Sequence, residues 1–267
     1  MSTLVSPDGT TIAFETVGDG PALILVDGAS CYRDAGPMRS IADALSVTFE
    51  VVLYDRRGRG ASGDTLPFAV QREIEDLGAL IDQVGGAARL FGISSGAALV
   101  LAAAEALGAQ KVTGIALFEP PFMPPPALPA AAVYTRELQA ALAAGDRAAA
   151  VELFLARVGL PPQAIEGMRH SPAWPGMESI APTLAYDDAA MGDSAVPVER
   201  AKRIRVPALA LVGGASPDFL RYGAEEVAAA LPSAEVVVLE GQTHDVAAEA
   251  VAPALVDFFT ARDLSRA

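Results

Sequence analysis

The chain has 267 residues, of which 52% are hydrophobic and 19% charged, which is typical of a folded globular protein. Its 33 acidic and 19 basic residues give a formal net charge of −14 at pH 7, and so acidic a surface repels nucleic-acid phosphates and anionic membrane surfaces. A single cysteine, Cys31, excludes an internal disulfide, and two histidines are too few for a histidine-rich metal centre.

The N-terminal residues show no basic segment followed by an apolar one, so they do not predict a signal peptide. The longest apolar run, residues 96–104, is too short to span a bilayer. We therefore expect a soluble, cytoplasmic protein whose partner is a small-molecule substrate rather than a nucleic acid or a membrane. The sequence leaves the oligomeric state open, including a homo-oligomer.

The chain alternates short apolar runs with helical patterns. An alternating segment at 10–18 predicts a solvent-facing antiparallel edge strand. Continuously apolar runs predict strands buried on both faces of a sheet, at 21–28, 49–55, 88–94, 111–120, 206–214 and 234–241. Helical patterns occupy about 37–46, 68–84, 95–108, 218–231 and 246–262. This order predicts a mostly parallel, doubly wound α/β sheet, in which ligands bind at the carboxyl ends of the strands.

The alternation stops between residues 121 and 198, which open with the proline-rich stretch PPFMPPPALP and continue with helical patterns. This indicates a helical cap inserted above the strand ends, as the roof of a pocket, rather than a mere helical ornament. The predicted core therefore comprises residues 1–120 and 199–267, and the cap comprises residues 121–198.

The segment Gly92-Ile93-Ser94-Ser95-Gly96 matches G-x-S-x-G, at the end of a predicted buried strand and the start of a predicted helix. This is the context of a nucleophile elbow, with Ser94 at the sharp turn. The backbone N–H of Ser95 at the helix start faces a developing oxyanion. The alternative is a simple serine N-cap.

Serine requires a base to attack at neutral pH. His244, in GQTHDV after the last predicted strand, lies where a base reaches the elbow, although an exposed loop histidine is the alternative. The other histidine, His170, falls within the predicted cap.

The order of these motifs resembles the α/β-hydrolase fold superfamily over essentially the whole chain outside the cap. The matching segments are LILVDG, YDRRGRGASG, the elbow and the terminal GQTH. The resemblance implies an oxyanion loop at Asp27-Gly28-Ala29, in which the Ala29 N–H is the second oxyanion donor. It also implies a catalytic acid that completes a triad. It implies no metal and no cofactor.

The position of that acid is open. In the common pattern it follows the strand PALALVGG, where this chain has Ser216, with Asp218 two residues further on. Glu119, at the end of KVTGIALFEP, is the favoured candidate, because some members of the superfamily place their acid there. A dyad without an acid, or another residue such as Asp245, remains a further alternative.

Several residues carry weaker predictions. Asp27 replaces the usual histidine of the oxyanion loop and must point away from the reacting carbonyl or be paired, for example with Arg33. Cys31 is expected to line the pocket or to lie in the core. Trp174 is a candidate substrate contact from the cap, and four further apolar residues either line the pocket or form the interior of the cap: Phe122, Met123, Met177 and Tyr186.

The segment GRGASG at 58–63 also fits a dinucleotide fingerprint, but no helix opens directly after it. Asp55 and Arg56 are instead expected to brace this loop. The sequence thus predicts a serine hydrolase that cleaves a small or medium apolar ester, thioester or lactone. The alternatives are a non-hydrolytic lyase or cyclase on the same fold, which Asp27 favours, and a non-catalytic ligand-binding member.

Overall fold

The computed structural model describes residues 1–264, so the last three residues of the predicted core segment 199–267 lie outside the described residues. Eight strands form one sheet in the order β1-β2-β4-β3-β5-β6-β7-β8. The strands are β1 (Ser2–Val5), β2 (Thr11–Val17), β3 (Ala22–Val26), β4 (Glu50–Tyr54), β5 (Ala88–Ile93), β6 (Val112–Phe118), β7 (Ala208–Gly213) and β8 (Ala234–Leu239). Only the β1–β2 and β2–β4 pairings are antiparallel in the described sheet.

Helices cover both faces of the sheet, which confirms the predicted doubly wound α/β class. The core helices are α1 (Met38–Leu45), α2 (Val70–Gln83), α3 (Ser95–Lys111), α10 (Asp218–Ala230) and α11 (Ala248–Leu264). Apolar residues of α2 and α3 form one buried cluster against the strands, and those of α1 and α11 form another on the opposite face. Strands β3 and β7 are buried along their whole length, and β5 and β6 are buried except at Arg89 and Thr113, because helices cover both of their faces.

The segment between β6 and β7 contains helices and, among the described residues, no strand, as the inserted cap requires. Its helices are α4 (Leu128–Ala143), α5 (Arg147–Arg157), α6 (Pro162–Arg169), α7 (Trp174–Ile180), α8 (Leu184–Met191) and α9 (Val198–Ala201). The cap has its own hydrophobic cluster, which includes Leu138, Val151 and Leu155. Helix α8 packs on α3, directly above the predicted elbow.

The two edges of the sheet differ from the prediction. The edge beside β2 is occupied by β1, a strand that the sequence analysis missed, so β2 is not the edge strand. Strand β8 forms the other edge, and Val236 and Val238 remain 45% and 37% exposed, so this run is not buried on both faces. No helix within residues 1–264 is long and apolar enough to cross a membrane.

Candidate active site

Ser94 lies at the turn between β5 and α3 in a strained conformation, with φ 57° and ψ −127°. Glycine on both sides makes this turn possible. A Cβ at Gly92 would lie 2.5 Å from the carbonyl oxygen of Gly96, and a Cβ at Gly96 would lie 2.5 Å from the carbonyl oxygen of Asp27. The two glycines therefore allow strand, helix and neighbouring loop to meet closely, as a nucleophile elbow requires.

His244 lies in the loop between β8 and α11, and its Nδ1 lies 2.5 Å from Oε2 of Glu119. The Glu119 side chain is fully buried directly after β6, and its Oε1 accepts a 2.7 Å hydrogen bond from the Gly213 N–H. Burial alone would raise the pKa of Glu119, but the hydrogen bonds from His244 and Gly213 outweigh it and hold that pKa below its usual value. An ionised Glu119 fixes the proton on Nδ1 and leaves Nε2 free to act as a base.

Asp218 does not meet the histidine. It is exposed at the first residue of α10, whereas the carboxylate bonded to His244 belongs to Glu119. Of the two carboxylates that the sequence left open, that of Glu119 contacts His244 in the structure. A side chain directly after a buried strand is directed to the same edge as the elbow, whereas Asp218 is exposed at the start of α10.

The loop of residues 27–29 follows β3 and lies against the elbow. A Cβ at Gly28 would lie 3.1 Å from Cβ of Ser94, so only glycine allows this approach without displacement. The Gly28 carbonyl accepts a 2.6 Å hydrogen bond from Nη1 of Arg59. Because the carbonyl and the next N–H of a trans peptide point in opposite directions, the Ala29 N–H points away from Arg59.

Asp27 is buried, and its Oδ1 has no hydrogen-bond partner among the described residues. Burial raises the pKa of Asp27 to about 7, although the charges of Arg59 and Arg56 oppose this shift. The suggested pairing with Arg33 is wrong. Arg33 instead bonds Asp55 and Glu15, two carboxylates that its side chain reaches from the far side of the loop.

A cavity of about 180 Å³ opens above the elbow, between the core and the cap. Ser94, Ser95, Ala29 and His244 line its floor, together with residues after β6 and near the start of α10. The cap supplies the rest of the lining from α4, α5 and α8. Helices of the segment between β6 and β7 therefore roof the cavity, and most of its lining is apolar.

Of the five apolar cap residues singled out in the sequence, Met123 lines the cavity. The structure does not place Trp174 there. Its side chain is buried in the hydrophobic cluster of the cap, against which Met177 also packs. Phe122 joins the main core cluster, and Tyr186 stacks on a neighbouring aromatic ring and donates a hydrogen bond to a carboxylate outside the cavity. Cys31 also lies outside the cavity lining, and burial raises the pKa of its thiol to about 12.

The sequence analysis missed Asp187, a buried residue of α8 that lines the cavity. Its carboxylate accepts hydrogen bonds from Arg56 (2.7 Å), Arg59 (2.6 Å) and the Ser95 hydroxyl (2.8 Å). Burial alone would raise the pKa of Asp187, but the two arginine charges hold it below its usual value. Arg56 also pairs with Glu73, so it anchors α2 and the cap as well as its own loop.

Asp55 braces the GRGASG segment as expected, whereas the Arg56 side chain bonds Glu73, Asp187 and the Asp27 carbonyl rather than this segment. One oxygen of Asp55 accepts from the Arg33 backbone, and the other accepts from Arg33 Nη2 and from the Ala61 N–H. A Cβ at Gly60 would collide with the Asp55 carboxylate. Within the segment, the Gly58 N–H donates to the Gly63 carbonyl and the Ser62 N–H to the Arg59 carbonyl, which closes the loop.

Comparison with known proteins agrees with this architecture. A model of the alpha/beta hydrolase family matches residues 20–256. An alpha/beta hydrolase from Sphaerobacter thermophilus is 48% identical, with a TM-score of 0.85 over 97% of this chain and 100% of that one. A hydrolase from Pseudomonas aeruginosa is 25% identical, with a TM-score of 0.76 over 97% of each chain.

An esterase from Thermogutta terrifontis is 21% identical, with a TM-score of 0.69 over 99% of this chain and 97% of that one, a likeness that concerns the fold alone. No protein of curated function matches the sequence. The match of the family model over most of the length, together with the elbow, the histidine loop and the cap, establishes that the chain belongs to the alpha/beta hydrolase family.

Proposed function

We propose that the protein is a serine hydrolase that cleaves a small or medium apolar ester, thioester or lactone. The observation that carries this proposal is the contact between His244 Nδ1 and the buried carboxylate of Glu119 beside the cavity that contains Ser94. A buried carboxylate bonded to one ring nitrogen orients the imidazole and stabilises its protonated form, which is what a general base for serine requires.

In the proposed reaction, Ser94 Oγ attacks the carbonyl carbon and its proton passes to His244 Nε2. The negative charge that develops on the carbonyl oxygen is stabilised by the N–H groups of Ser95 and Ala29. Ser95 begins α3, so its N–H has no partner within the helix, and the Ala29 N–H points away from the Arg59 that holds the preceding carbonyl. Removal of one such donor from an enzyme costs about 3–4 kcal/mol of transition-state stabilisation.

The tetrahedral intermediate then collapses. The bond from the carbonyl carbon to the leaving oxygen or sulfur breaks, and the leaving group takes the proton from His244. Water attacks the resulting ester of Ser94 with the same histidine as base, which releases the carboxylic acid and regenerates the serine hydroxyl. Glu119 stays ionised throughout.

The non-hydrolytic alternative receives less support. It depended on Asp27 acting near the reacting carbonyl, but this carboxyl is buried and is not part of the cavity lining. The alternative of a non-catalytic binder gives no reason for a fully buried carboxylate bonded to the histidine of the same cavity.

The test is covalent labelling with a fluorophosphonate, followed by intact mass spectrometry. We expect one adduct per wild-type chain and none on the Ser94→Ala and His244→Ala variants. The wild type should then hydrolyse p-nitrophenyl esters of short acids. A folded wild-type protein that neither labels nor hydrolyses any of these esters would refute the proposal.

A further inference from the structure

The apolar wall of the cavity is interrupted by a guanidinium. Arg157, the last residue of α5, is half-buried and lines the same cavity as Ser94. It is the only lysine or arginine among the lining residues that the structure describes. A cation in an apolar cavity is costly to desolvate, so its position calls for a partner of opposite charge.

The protein itself supplies Arg157 with weak partners. Its guanidinium carbon lies 5.0 Å from the centroid of the Tyr134 ring, a cation–π contact that leaves the N–H groups unused. Nη2 lies 3.5 Å from Oγ of Ser194, which is long for a hydrogen bond. Within residues 1–261, no carboxylate oxygen is found within 4 Å of this guanidinium.

The other charged groups of the wall are already engaged. Asp187 is bonded by two buried arginines and the Ser95 hydroxyl. Asp188 accepts a hydrogen bond from Thr135, and burial raises its pKa, although the Arg157 charge opposes this. Of the five N–H donors of Arg157, one is thus given a long contact to Ser194 Oγ, and the aspartates of the wall are bonded to other residues.

We propose that Arg157 binds a carboxylate of the substrate, so that the ester or lactone cleaved at Ser94 carries a free acid group at its other end. This inference rests on the proposed function and adds the substrate class. The planar guanidinium matches a carboxylate through two parallel hydrogen bonds. A doubly charged phosphate fits less well, because two aspartates share the same wall.

The experiment compares two p-nitrophenyl esters of equal length, the neutral valerate and the monoglutarate that ends in a carboxylate. We expect Arg157→Met to reduce kcat/KM for the monoglutarate about 10- to 100-fold, which corresponds to the loss of a charge-assisted hydrogen bond. The valerate should change less than about twofold, and Arg157→Lys should restore part of the loss. Arg136→Met removes an exposed arginine of α4 outside the cavity and should leave both esters unchanged.

Equal effects of Arg157→Met on the two esters, or no effect on either, would overturn the carboxylate assignment. Binding separates this failure from a failure of the hydrolase proposal. In the Ser94→Ala background, calorimetry should detect monomethyl glutarate, and the added Arg157→Met change should abolish that binding. If the wild type hydrolyses no ester but this binding pattern is found, the carboxylate site stands and the hydrolase proposal fails. If esters are hydrolysed but the binding of monomethyl glutarate does not depend on Arg157, the hydrolase proposal stands and the carboxylate site fails.

Discussion

Replacement of Asp27 by asparagine should change how the stability of the protein depends on pH. The carboxyl is buried with one oxygen unpartnered, and burial raises its pKa from 3.8 to about 7. The native state therefore retains the Asp27 proton over a pH range in which the unfolded state has lost it. The stability contributed by the protonated group is complete below pH 3.8, decreases as the pH rises, and is fully lost above about 7.

The size of the effect follows from the two pKa values. A shift of about three units corresponds to about 4 kcal/mol, since each unit is worth 1.36 kcal/mol. Between pH 5 and pH 8 about 3 kcal/mol of this is lost, because part of the titration of the unfolded state lies below pH 5. Asp27→Asn lacks the titrating group, so its free energy of unfolding relative to the wild type should rise by that amount over the same interval.

Urea unfolding at half-unit steps from pH 5 to pH 8 measures this difference. The absolute stability of Asp27→Asn depends on how the amide packs, but the pH-dependent part does not. A second variant, Asp27→Leu, must therefore show the same change with pH in its free energy of unfolding relative to the wild type, displaced by a different constant amount. A difference between wild type and variants that stays constant over the range would mean that Asp27 is ionised in the folded protein, which would refute the reasoning from burial.

Three further tests use five substitutions in and around the site. Glu119→Gln should lower kcat about 10⁴-fold, because the amide no longer holds the required histidine tautomer. The control Asp218→Asn should leave ester hydrolysis unchanged. A similar loss of kcat in both variants would contradict the assignment of the acid. Asp187→Asn leaves two buried arginines without their common carboxylate and should lower the free energy of unfolding in urea by about 3–5 kcal/mol. A decrease of less than about 1 kcal/mol would show that water or a rearrangement replaces this carboxylate. Gly96→Ala places a methyl group against the backbone after β3 and should lower the melting temperature. The control Gly78→Ala lies in α2, where the nearest atom to the added methyl group is 3.5 Å away, and should raise the melting temperature slightly. Equal shifts of the melting temperature would refute the close approach at the elbow.

Much of the fold follows from the sequence because parallel strands that are buried on both faces form almost continuously apolar runs. The same reasoning proposed Ser94 and Glu119, which follow directly after buried strands, and His244, which lies in the loop after β8. It failed at the sheet edges, because an apolar run such as β8 is equally compatible with a central or an edge position. The short β1 lacks a distinct pattern and depends on pairing with β2.

The cap was predictable as a segment but not in its contacts. Helical periodicity does not fix how a helix is rotated against the core, so the sequence could not tell that Trp174 packs inside the cap while Asp187 and Arg157 face the cavity. Likewise, proximity in sequence suggested that Arg33 pairs with Asp27. Hydrogen bonding favours the distant Asp55, which accepts from both the backbone and the side chain of Arg33.

The two buried arginines connect the cap to the proposed oxyanion loop. Arg59 bonds the Gly28 carbonyl through Nη1 and Asp187 of α8 through Nη2, and Arg56 similarly joins the preceding carbonyl to Asp187. A guanidinium is planar and rigid, so a displacement of one partner is transmitted to the other. Movement of α8 would therefore reorient the peptide that directs the Ala29 N–H. In the proposed mechanism the cap therefore contributes to the geometry of the oxyanion donors as well as to the enclosure of the substrate, and substitutions in α8 should affect kcat and not KM alone.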